Sequence, residues 1–247
     1  AASGAGLARS CCRGSRRRGR PVGAEDVPLT ANGRTQAQAV GRALARHGIR
    51  LDRAVTSGMR RTRETAALVL DAMRASIETE HWPELHEIRG GRLSAIPENE
   101  LNGAFLAVFQ GPVDPDVRFL GGETVGALIE RVLPPLQRLL ADPDWDTALA
   151  VLHGGVNRVW LSWFLTGRGQ MLGGLAQDPG CLNVIDVGTS AADSVVRVLN
   201  YGPDDPLRGA TRLTTMEELL ERYRRFRPGP SGQPREPGDG PADPGSA

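Results

Sequence analysis

One stretch limits what this chain can fold into more than any other. Thr147-Ala-Leu-Ala-Val-Leu152 is apolar from its second residue to its last and runs directly into His153-Gly154-Gly155. A strand without polar alternation has both faces covered, the condition of a central strand in a parallel sheet flanked by helices. The neighbouring segments must therefore supply helices for both faces.

They carry the patterns for it. Thr30 is placed to cap a helix whose apolar positions Ala37, Val40 and Leu44 recur at helical steps and which ends near Gly48. Leu51 to Ser57 reads as a short strand and Met59 to Met73 as a second helix, with Ala66, Val69 and Met73 on one face. After a connection through Ile77 and Trp82-Pro83, residues 97–110 are expected to be helical. So is Thr124 to Leu140, although Pro134-Pro135 should bend or break it, because each ring removes a helical donor. A helix with Val159, Trp160, Trp163 and Phe164 follows His153, then strands at 182–187 and 194–200. Thr214 and Glu217 form a capping box for a last helix striped by Met216, Leu219, Leu220, Tyr223 and Phe226. This alternation predicts an α/β fold, a three-layer α/β/α sandwich with a mainly parallel sheet.

The ends differ from the middle. Residues 1–23 have neither helical nor strand periodicity and read as an irregular or damaged segment, with no strand expected in it. Residues 228–247 are rich in Pro and Gly and offer too little apolar surface to offset the entropy of ordering, so a disordered tail is expected. The domain is accordingly placed at 24–227. The chain begins with Ala1 and not Met, so residue 1 is not taken as the natural start.

Composition removes several function classes. The net charge of +1 conceals six Arg and no acid in the first twenty residues, while the remainder is slightly acidic, which gives no footprint for nucleic acid. Every basic residue is Arg. Cys11, Cys12 and Cys181 are an odd set without metal-ligand spacing or a disulfide framework, which makes the reducing cytoplasm the expected location. No run reaches the ~18 apolar residues of a membrane span, so no membrane partner is expected.

In an open α/β sheet, ligands bind beyond the carboxyl ends of the strands, where helix N-termini favour anions. Two loops have that context, one carrying Thr56-Ser57-Gly58-Met59-Arg60-Arg61 and the other His153-Gly154-Gly155. A guanidinium can fork two phosphate oxygens, and an imidazole beside it can donate to them or attack phosphorus. Plainer readings compete. Arg60, Arg61 and Arg63 share one helical turn and could be a solvated face, Glu84 rivals Glu87, and His153 could be a structural histidine.

The residues also resemble a family. Leu29-Thr-Ala-Asn-Gly33 with Gln36 and Ala37 is similar to the LTxxGxxQA stretch of histidine phosphatases, and Thr56-Ser-Gly-Met-Arg-Arg-Thr-Arg-Glu-Thr-Ala66 to their SSxLxRAxxTA motif. Leu85-His-Glu-Ile88, Gly121-Gly-Glu123 and Val151-Leu-His-Gly154 follow in the family's order. The chain thus resembles the histidine phosphatase (phosphoglycerate mutase-like) superfamily from about residue 24 to 200. That resemblance implies phosphomonoester hydrolysis through a phosphohistidine on an N-terminal Arg-His-Gly motif. It makes His153 the second histidine, Arg61 the second arginine and Glu87 the general acid, with Arg61, His153 and Gly154 at the phosphate. It implies no cofactor and no metal, because the cationic pocket takes the metal's place, and a phosphorylated small molecule as partner. Substrate and oligomeric state stay open, although residues 95–120 are expected to cap the pocket.

One part of the family pattern is missing. The Arg-His-Gly motif should end a first strand well before Leu29, but the chain there reads Leu7-Ala-Arg-Ser-Cys-Cys-Arg-Gly-Ser15, with Arg9 the candidate for the arginine's place and no histidine. Arg46-His47-Gly48 spells the motif at the end of a helix, the wrong context, and Cys12 with Arg18 fits a cysteine-phosphatase spacing without the strand and helix it needs. Two explanations stand: an N-terminus altered by frameshift, wrong start or fragmentation, or a pseudo-phosphatase that binds phosphorylated ligands without turnover. The absence of a leading strand favours the first. Phosphoglycerate mutase is a third reading.

Overall fold

In the computed structural model of the chain, residues 3–9, 26–206 and 215–226 are described. Thr147–Leu152 is β4, and from Ala148 to Leu152 no residue is more than 2% exposed. Its side chains divide by parity. Ala148, Ala150 and Leu152 belong to one core, with residues of α4 (Val125–Ala141) and α5 (Gly154–Thr166). Leu149 and Val151 belong to a second core, with α1 (Ala31–Arg46) and α2 (Arg60–Met73). Strict alternation along one strand between two cores is the three-layer arrangement, and it explains why the strand carries no polar side chain on either face.

The sheet also contains β1 (Ser3–Arg9), β2 (Arg53–Thr56), β3 (Thr79–His81), β5 (Leu182–Val187) and β6 (Val195–Tyr201). Its order is β3-β2-β4-β1-β5-β6. The first four of these run parallel to one another, while β5 is antiparallel to both β1 and β6. The short α3 (Leu101–Leu106) packs near α6 (Thr215–Phe226), where the Tyr223 hydroxyl donates to the Leu93 carbonyl at 3.2 Å.

Two sequence expectations are corrected. Ser3–Arg9 is a strand within the segment expected to be irregular, and it lies between β4 and β5, with Arg9 opposite Leu152. Gly, Ala and Ser give it little β propensity; its place comes from ladders with β4 and β5 on both edges. Pro134 and Pro135 do not break α4, which continues to Ala141, because Val132, Pro135, Leu136 and Leu139 are buried along it and that packing offsets the roughly 3 kcal/mol a helical proline costs. Residues 97–110 are helical as expected, although only α3 is α-helix and the turns on either side of it are 3-10. The capping box at Thr214 and the tail from residue 228 lie outside the described residues. β3 lies in the stretch expected to be a connection, and the remaining elements fall where the patterns put them. Thr30 caps α1, its hydroxyl accepting from the Gly33 amide at 3.0 Å.

Candidate phosphate site

β2 and β4 are parallel neighbours, with Thr56 opposite Val151, so the residues that leave their carboxyl ends emerge together. Ser57 is fully buried, His153 is 3% exposed and Arg61, in the first turn of α2, is 5% exposed. Arg60 and Arg63 are exposed on the same turn. The solvated-face reading therefore holds for those two and fails for Arg61.

The three buried side chains are joined. Arg61 Nη2 lies 3.3 Å from His153 Nδ1, and His153 Nε2 lies 2.8 Å from Ser57 Oγ. A guanidinium can only donate, so Nδ1 is the acceptor and the imidazole proton sits on Nε2, pointing at Ser57. The Ser57 hydroxyl is 3.0 Å from Thr62 Oγ1, and Thr62 donates to the Met59 carbonyl at 2.8 Å. Every hydroxyl in this chain thus has a donor and an acceptor role. Ser57 and Thr62 were not singled out by sequence reasoning; the signal was their place inside the Thr56-to-Ala66 motif.

Glu87 approaches from a different part of the chain. Its Oε1 accepts from the amides of Ile88 and Gly155, both at 3.0 Å, and its Oε2 lies 3.3 Å from the latter. The carboxylate therefore caps the N-terminus of α5, where the helix dipole favours negative charge. A Cβ on Gly155 would come within 2.6 Å of Oε1, so any larger residue there would push the Glu87 carboxylate out of this position. Glu84, its rival in the sequence, is instead half exposed in a long 3.6 Å pairing with Arg138.

A clamp holds the Glu87 segment. Arg131 of α4 donates to the Glu84 and His86 carbonyls at 2.6 and 2.8 Å and forks Glu123, with Nη2 at 3.0 Å from both carboxylate oxygens. Glu123 in turn accepts from the Arg89 amide at 2.9 Å, and its own amide donates to the Arg89 carbonyl at 2.8 Å. Gly122 lies so close that a Cβ there would stand 2.2 Å from the Arg89 carbonyl oxygen. The Gly-Gly-Glu motif is thus the anchor of the loop carrying Glu87. His86, beside it, has its pKa pushed below the ordinary histidine value, first by burial and then by the charges of Arg131, Arg89 and Arg61, against the opposing pull of a bond to the Ser57 backbone. Three guanidinium groups acting on one ring mark a region of positive potential.

Gly154 is buried at the start of α5. Beside it and Gly155 a small cavity opens, bounded by Glu87 and Ile88 and reaching Val108, Phe109 and Phe119 of the segment expected to cap the pocket. Arg158, one turn into α5 and unassigned by sequence reasoning, is 6% exposed beneath it. His47 is exposed at the carboxyl end of α1, which leads into the amino end of β2, so the Arg-His-Gly decoy lies away from these strand ends. Cys12 and Arg18 lie outside the described residues. Among the described residues no three His, Cys, Asp or Glu side chains gather as metal ligands, and no helix is long and apolar enough to cross a membrane.

Comparison with known proteins bears on this geometry. The model of the histidine phosphatase superfamily, branch 1, matches residues 7–200. "Probable phosphoglycerate mutase GpmB" of Serratia proteamaculans is 32% identical over 134 residues, which are 53% of this chain and 60% of that protein. The chain therefore spans about three fifths of the length of such curated relatives. The solved alpha-ribazole phosphatase of Shigella flexneri superposes with a TM-score of 0.56 at 22% identity, covering 80% of this chain and 96% of that one. A mycobacterial glucosyl-3-phosphoglycerate phosphatase does so with a TM-score of 0.58 at 20% identity, covering 81% and 99%. These two share the fold.

Proposed function

The chain belongs to the histidine phosphatase superfamily, and on that premise we propose that it binds a phosphorylated small molecule at the carboxyl ends of β2 and β4. Arg61 and His153 hold the phosphoryl oxygens, Gly154 lets them approach the backbone, and Glu87 faces the leaving alcohol. The observation that carries the reading is the burial of Arg61 and His153 against one another, 92 residues apart in sequence, at the edge where an α/β sheet takes its ligands. The guanidinium charges around His86 add the potential a phosphate dianion needs.

In the family's reaction a histidine after the first strand attacks phosphorus. The N–P bond forms as the ester P–O bond breaks, the departing oxygen takes a proton from the acid, and water then hydrolyses the phosphohistidine. Arg9 pairs with Leu152, the residue before His153, which fits Arg9 to the motif's arginine and Ser10 to its histidine. A chain that keeps the core strand and lacks the nucleophile binds without turnover. The presence of β1 removes the argument for a missing strand and favours this pseudo-phosphatase reading over a wholly altered N-terminus.

Two measurements test the proposal. Inorganic phosphate should bind in calorimetry and cease to bind to His153→Ala; equal affinity in the two proteins would refute the site. Hydrolysis of p-nitrophenyl phosphate should be absent from this chain and appear when Ser10→His and Cys11→Gly are introduced together. Turnover by the unaltered chain would overturn the binding-only reading.

A further inference from the structure

The cavity beside Glu87 has a chemistry of its own. Apart from Glu87, Arg158 and the two glycines it is lined by Ile88, Val108, Phe109, Phe119, Met171 and Met216, contributed by several separate segments of the chain including α6. Its volume of about 60 Å³ is roughly four to six times the 10–15 Å³ that one water requires. It opens over Gly154 and Gly155, on the Glu87 side of the phosphate position, where the alcohol of a phosphomonoester must lie if Glu87 faces it.

Arg158 spends donors on the backbone around this lining. Its Nη1 donates to the Gly154 carbonyl at 3.1 Å and its Nε to the Gly173 carbonyl at 3.2 Å. One face of its guanidinium is set 4.7 Å from the Phe109 ring centroid. It ties the floor of the cavity together. The lining therefore offers an alcohol mainly apolar contact, with Glu87 and Arg158 its two charged groups.

We infer that this cavity is a subsite for the alcohol, and that it selects phosphomonoesters of short apolar alcohols over phosphoglycerates. The inference rests on the phosphate reading above and deepens it by naming the substrate class. A phosphoglycerate would bring a carboxylate and a hydroxyl into a space walled by six apolar side chains, where Nε and Nη1 of Arg158 are already bonded to backbone carbonyls. An alkyl chain meets no such penalty, and each methylene it buries strengthens binding about fourfold.

Size-matched three-carbon esters read this directly. Calorimetry on the full chain should give n-propyl phosphate an affinity at least tenfold above that of 3-phosphoglycerate. Phe109→Ser should reduce that ratio below threefold, and Phe109→Leu, which keeps an apolar wall, should retain most of it. Equal or tighter binding of 3-phosphoglycerate to the unaltered chain would overturn the inference, as would an undiminished ratio in a folded Phe109→Ser protein. If inorganic phosphate itself does not bind, the phosphate reading falls and this one with it. If phosphate binds and the two esters do not differ, only the subsite is refuted.

Discussion

The two halves of the proposed site are built differently. The phosphate half stands on adjacent strand ends, where Ser57, Arg61 and His153 are at most 5% exposed and bonded to one another. The leaving-group half, from residue 83 to 123, has single helical turns and the six-residue α3; Leu85, Leu101, Phe105, Val108 and Leu120 bury it in the main core, and the Arg131–Glu123 pair and Glu87 on α5 add polar ties. The first half is positioned by the sheet itself. The second is irregular chain anchored by its buried side chains and a few polar ties, so it can vary in shape more readily than the strand ends, which is how one fold can serve many alcohols.

The comparison predicts unequal responses to mutation. The largest effect should come from Arg61→Ala, which removes a buried guanidinium able to make two charge-assisted bonds worth about 1.5–3 kcal/mol each. Phosphate affinity in calorimetry should fall more than about a hundredfold. Retention within tenfold would mean that the phosphate half is misassigned.

Arg131→Ala should do the opposite. Losing the forked pair and two carbonyl contacts is expected to lower stability by about 2 kcal/mol in urea unfolding. Hydrogen exchange should rise at residues 84–91 while inorganic phosphate affinity changes less than threefold. A large loss of phosphate binding would show that the halves are not independent.

Ser57→Ala should cost about 1–2 kcal/mol of stability, because the buried His153 Nε2 proton and Thr62 each lose a partner. It sharpens the comparison through ¹⁵N NMR. His153 should report the Nε2–H tautomer in the unaltered protein and a mixture in the variant; a pure Nδ1–H signal in the former would contradict the hydrogen-bond chain.

The smallest effect concerns His86. The folded protein holds its pKa below the ordinary value of about 6.5, so in acid the unfolded chain takes up the proton first. Its contribution to stability is whole above about pH 6.5 and is lost as the pH falls through the lowered folded value. Urea unfolding at pH 7.5 and 5 should therefore show a smaller acid loss in His86→Gln than in the unaltered chain; identical losses would exclude the effect.

The legibility of the two halves follows the same division. β4, α2 and α5 could be read because burial on both faces of a strand and helical spacing are written in local periodicity, and Arg61 and His153 sit at the ends of those elements. Glu87 could be selected over Glu84 only through the family motif. Arg131 and Arg158 carried no such mark, and Arg131's role arises from residues distant in sequence, the carbonyls 47 and 45 positions away.

β1 marks the limit most clearly. Ser-Gly-Ala-Gly-Leu-Ala-Arg has no alternating pattern and few strand-forming residues, so the sequence alone argued against a strand. Its ladders on both sides put it at the centre of the sheet. By itself the sequence determined the layers, the two ligand loops and the family, because each depends on local periodicity or on residues close together in a motif. Only the tertiary structure decided where the first strand runs, what holds Glu87 in place and what lines the cavity beside it, because those depend on hydrogen-bond partners and side-chain neighbours that local patterns do not specify.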